Sequence, residues 1–94
     1  MSSTNSNQGG FSELYQQVWV RKFGLLIQRC RKQSGQSPEK VASMAGMRTS
    51  AWLAAEAGWV PATLVQLHSM AGALGLDNLQ LEMAHQLCRD AWQA

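Results

Sequence analysis

Glycine punctuates this 94-residue chain at positions 35, 46, 58 and 75, each time after a stretch in which apolar residues recur at helical spacing. Glycine enters the left-handed backbone region without steric cost, so it is a natural helix stop. The intervals between these stops are ten, eleven and sixteen residues long, room for helices of two to four turns and their connections. No segment alternates apolar and polar residues as a half-buried strand does. The expected fold is therefore all-α, a compact orthogonal bundle of five helices joined by very short connections. Hydrophobic residues make up 46% of the chain and include four Trp, enough to close one core without disulfides or a metal.

Local signals divide the chain further. Residues 1–10 are Ser, Thr, Asn, Gln and Gly with no apolar residue after Met1, which predicts a flexible tail ahead of a single domain over 11–94. Ser12 and Glu13 suit the start of a first helix over 12–34, its stripe running through Leu14, Tyr15, Val18, Trp19, Phe23, Leu26, Ile27 and Cys30, with a bend expected at Gly24. Ser37-Pro38-Glu39 then supplies a hydroxyl cap, a Pro for the first helical position and an acid for the first turn. That second helix carries Val41, Ala42, Met44 and Ala45 and stops at Gly46. A third starts at Arg48, Thr49 or Ser50 and runs to Ala57, and a fourth carries Leu64, Leu67, Met70, Ala71 and Leu74.

Asp77 or Asn78 caps the fifth helix, with Leu79, Met83, Leu87 and Ala91 on one face and Ala84 and Cys88 beside it. Trp19 and Trp92 lie in the two terminal helices. Their apolar stripes must be buried, so these helices are expected to pack together or across a two-fold axis, giving a homodimer.

Charge is distributed unevenly. Residues 21–48 hold seven of the eight basic residues against one acid, a net of +6, whereas residues 49–94 carry four acids and one base, a net of −3. Such asymmetry suits a first half that meets a polyanion.

Other function classes find little support. The longest apolar runs are too short to span a bilayer, and the N-terminus lacks a charged region followed by an apolar stretch. A reducing cytoplasm is the expected compartment, with Cys30 and Cys88 as small core hydrophobes and no disulfide required. His85 and Cys88 are three apart, but neither a Cys-x-x-Cys nor a second His pair accompanies them, so no metal and no cofactor is expected. No nucleophile, base and orienting group can be named together, which argues against an enzyme.

The informative unit is a short helix, the turn Gly46-Met47 and a second short helix. Around it Phe23-Gly24, Ile27, Cys30-Arg31, Gly35, Ser37, Val41-Ala42, Gly46-Met47, Trp52, Glu56, Gly58, Pro61 and Ala73-Leu74-Gly75 fall in a recognisable pattern. Over about residues 23–76 the chain resembles the Xre-type, lambda-repressor-like family of helix-turn-helix DNA-binding domains. The resemblance implies a lambda-repressor-like bundle and a transcriptional regulator that binds double-stranded DNA. Residues 37–45 would be the supporting helix and 48–57 the recognition helix in the major groove.

On this resemblance Arg48, Thr49 and Ser50 face base edges or phosphates, with Ser37 on the supporting helix. Among basic residues outside the motif, Lys40 and, near the end of the first helix, Arg31 and Lys32 are candidate phosphate contacts. Two positions depart from the pattern. Pro38 stands where many members carry Gln, and Leu53 and Ala54 occupy recognition-helix positions that usually hold polar or basic side chains. Leu53 and Ala54 suit either a thymine methyl group or another protein, so a protein-interaction module on the same scaffold is the alternative reading.

Overall fold

Apolar residues at helical spacing form five helices in the computed structural model: α1 (Ser2–Gln33), α2 (Pro38–Met44), α3 (Thr49–Gly58), α4 (Leu64–Leu74) and α5 (Asn78–Gln93). The structure describes the backbone of residues 2–93 and the side chains of residues 17–93. No strand occurs among the described residues. Nor is any helix among them long and apolar enough to cross a membrane.

The boundaries follow local chemistry. Ser37 caps α2 by accepting a hydrogen bond from the Lys40 backbone N–H at 3.2 Å, with Pro38 at the first helical position. Gly46 lies at φ 69° just past α2, where the Met47 N–H donates to the Ala42 carbonyl and the Gly46 N–H to the Ser43 carbonyl. These paired bonds satisfy carbonyls that the helix end leaves open, and they need the left-handed conformation that Gly adopts freely. Thr63 caps α4 through the Gln66 N–H. Asp77 and Gln80 cap α5 reciprocally: each side-chain oxygen accepts from the other's backbone N–H, at 2.7 and 3.1 Å.

At two places α1 differs from expectation. It begins at Ser2, so the Ser12 signal does not start it and residues 2–10, expected as a tail, carry helical backbone, while Met1 lies outside the described residues. Once a buried turn has nucleated a helix, each added residue brings its own backbone hydrogen bond, and weak cap signals are passed over. At roughly 48 Å for 32 residues, α1 sets the 51 Å long dimension of the molecule. The helix also runs unbroken through Gly24. A Cβ there would sit 2.5 Å from the Glu56 carbonyl oxygen and 2.7 Å from that of Ala55. Gly24 thus serves the close approach of α1 to the last turn of α3.

The core gathers Phe23 and Ile27 from α1, Val41 and Ala42 from α2, Trp52 and Ala55 from α3, Leu67 and Met70 from α4, and Ala84 and Cys88 from α5. Trp52 is fully buried at its centre. α1 packs most extensively on α3 and α5, and α2 on α3 and α4. The two terminal helices therefore pair within one chain. For α5 the buried face is Ala84, Cys88 and Ala91, with Leu87 half-buried, whereas Leu79 and Met83, expected on the inner face, are exposed. Small side chains turned inward let α5 lie close to α1. The Trp92 indole N–H donates to the Pro61 carbonyl at 3.0 Å, fastening α5 to the loop after α3.

Gly24→Ala should lower the unfolding free energy by about 2 kcal/mol, because the added methyl meets backbone that cannot turn aside. Gly72→Ala, on an exposed helical position with nothing within 4 Å, should raise it by about 0.5–1 kcal/mol. Urea denaturation of the two variants measures both, and the signs should be opposite.

Candidate nucleic-acid interface

The inner face of α3 is held by one polar cluster. Arg31 from α1 donates to Glu56 through Nε at 2.6 Å and Nη2 at 3.1 Å, a two-pronged pair, and its Nη1 donates to the Gln36 carbonyl at 3.1 Å. The Trp52 indole N–H donates to the same carboxylate at 2.6 Å, one turn earlier on α3. The side chains of Arg31 and Glu56 keep only 12% and 5% of their exposure. Burial on its own raises the Glu56 carboxyl, but the hydrogen bonds from Arg31 and Trp52 outweigh it and hold the group below its ordinary value of 4.5. The Arg31 guanidinium is pushed up, chiefly by its hydrogen bond to Glu56.

This cluster corrects one expectation. Arg31 was expected to contact phosphate, yet its guanidinium faces inward on Glu56. Basic character is visible in a sequence, whereas a partner 25 residues away on another helix is not. Lys32, its neighbour, is exposed and lines a shallow groove with Leu25, Gln28, Arg29 and Gln33, all of them on α1. The structure does not group it with α3.

The remaining candidates lie along α2 and α3. Arg48 occupies the N-cap of α3 with no side-chain cap hydrogen bond, and it is exposed, as are Ser50 and Lys40. Thr49 is half-buried at the first helical position. Among the described residues neither Lys40 nor Arg48 is in an ion pair. Ser37 is exposed, with its oxygen engaged as the α2 cap. Ser50, Leu53, Ala54 and Ala57 form one outward stripe at spacings of three, four and seven, opposite Trp52 and Ala55. Leu53 keeps 47% of its exposure. Since Glu56, the only acid of α3, is turned inward, the outward stripe carries no negative charge.

Cys30 and Cys88 are free and buried, and burial pushes the Cys88 thiol up to about 12, far from a reactive thiolate. His68 and His85 meet edge to face with ring centroids 6.3 Å apart, joining α4 to α5. Among the described residues no three His, Cys, Asp or Glu side chains gather as a metal site would need. Compared with family models, curated proteins and solved structures, the chain matches none.

Arg31→Ala leaves a nearly buried carboxylate without its main partner and should cost about 3 kcal/mol of stability at pH 7, measured by urea denaturation. Because the Glu56 carboxyl titrates lower in the folded chain than in the unfolded one, its stabilisation is complete above pH 4.5 and disappears as pH falls through the folded value. Stability measured from pH 7 to pH 3 should fall less steeply on the acid side in Glu56→Gln than in the parent.

Proposed function

We propose that the chain is a sequence-specific DNA-binding regulator of transcription. In this role α2, the turn after it and α3 act as a helix-turn-helix of the lambda-repressor-like kind, and α3 enters the major groove. The observation that carries this is the charge arrangement on α3. Its single acid is paired internally, while Arg48 at its N-terminus and Lys40 on α2 stand exposed and outside any ion pair among the described residues. A helix presented to a polyanion needs this arrangement, since phosphate contacts supply most of the affinity and an outward carboxylate would oppose them. Arg48 is assigned to a base edge or an adjacent phosphate, Ser50 and Thr49 to the same end of the helix, and Ser37 and Lys40 to the phosphate backbone.

A second reading, a protein-interaction module on the same scaffold, draws on the exposure of Leu53 and of Met44 on α2. Operators read by such units commonly place two half-sites one helical turn apart, which calls for a two-fold pair. Exposed Leu79 and Met83 on α5 supply a seam for that pair.

Titration of random and selected duplexes at several salt concentrations tests the proposal. Arg48→Ala should weaken a selected duplex roughly tenfold or more while changing a random one little. Lys40→Ala should weaken both alike and reduce the salt slope by about one. Absence of binding at low salt sinks the proposal. Light scattering at micromolar concentration should return twice the mass of the chain, and a monomeric mass removes the dimer.

A further inference from the structure

We infer that α3 reads the thymine C5-methyl group, with Leu53 as the residue that determines specificity. This rests on the DNA-binding reading above and concerns what the groove-facing side of α3 recognises.

The outward stripe is Ser50, Leu53, Ala54 and Ala57, all exposed. Beyond Ser50 it has no side-chain donor or acceptor, so it cannot make the paired hydrogen bonds by which Arg distinguishes guanine or Asn and Gln distinguish adenine. In the major groove, the thymine methyl is the one apolar group among the features by which base edges differ. Ser and Ala side chains keep this face of the helix slim, so its backbone can come deep into the groove. Only Leu53 is long enough to project from it. Polar readout is confined to the N-terminal end, at Arg48 and Ser50, and methyl contact occupies the turns that follow.

The same features disfavour a protein as the occupant. Protein interfaces draw their affinity from clustered large anchors, with Trp, Tyr and Arg foremost. Three of the four stripe residues are no larger than Ser. The exposed basic groups nearest in sequence, Lys40 and Arg48, complement phosphate, and the one carboxylate of α3 is withdrawn into the Arg31 pair.

The test uses the full chain and a duplex selected from a random pool, compared with the same duplex synthesised with dU in place of every dT. Uracil keeps the base-pairing edge and loses only the methyl. Each methyl buried against Leu53 or Ala54 should contribute about fourfold in affinity, from about 0.8 kcal/mol per buried methylene-sized group. The parent protein should therefore bind the dU duplex about fourfold to fifteenfold more weakly for one or two contacted thymines. Leu53→Ala should bind the thymine duplex more weakly and lose most of its sensitivity to dU. Its thermal unfolding should match the parent, since Leu53 is a surface residue.

Equal binding of dT and dU duplexes by the parent overturns methyl reading while leaving sequence-specific binding intact. If no duplex binds at low salt, the underlying DNA-binding reading fails first. Release of a defined protein partner by Leu53→Glu, with duplex affinity unchanged, overturns the inference in favour of a protein-binding face.

Discussion

The Glu56 carboxylate sits where an unpaired charge would be intolerable, and the way it is satisfied organises the rest of the molecule. Donors from two other side chains, the Arg31 guanidinium through two nitrogens and the Trp52 indole, converge on it, with a further hydrogen bond from Gln28. Each fixes a different degree of freedom. Arg31 sets the rotation of α1 against α3, Trp52 fills the centre of the core in a single orientation, and the remaining Arg31 donor holds the chain at Gln36 as it turns toward α2. Gly24 completes the arrangement two turns earlier on α1, where it touches the backbone of Ala55 and Glu56. The last turn of α3 is thus gripped through its side chain and through its main chain. Apolar residues of similar volume can match such a cluster in stability but not in geometry, since hydrophobic contact is non-directional.

Fixing the inner face of α3 leaves its outer face free of structural duty. None of Ser50, Leu53, Ala54 and Ala57 is needed to close the core. The proposed DNA-binding role depends on that division, because a helix that enters a groove must expose a full stripe while remaining firmly seated. Burying the acid serves both ends: it anchors the helix and removes repulsion from the exposed side.

Much of this was legible in the sequence because it is local. Gly35, Gly46, Gly58 and Gly75 end helices or follow their ends, and Ser37-Pro38-Glu39 starts α2, all from signals within one turn of the residue concerned. Most of what sequence reasoning missed is tertiary. Gly24 reads as a bend when considered alone, and its role appears only when the α3 backbone is set beside it. Arg31 reads as a phosphate ligand until Glu56 is brought to it. For α5, period alone admitted two neighbouring faces, and the choice of Ala84, Cys88 and Ala91 over Leu79 and Met83 was made by how near α1 must come. Thr63, the cap of α4, went unread although its hydroxyl three residues before Gln66 carries the usual signature.

The outward stripe of α3 has a consequence for descent. The buried side chains that seat the helix include Trp52, Ala55 and Glu56, whereas positions 50, 53, 54 and 57 are exposed and lie outside the core. If α3 enters the groove as proposed, related chains can diverge in what they recognise by drift at these four places. On the proposed DNA-binding reading, stability and recognition are inherited separately on one ten-residue helix.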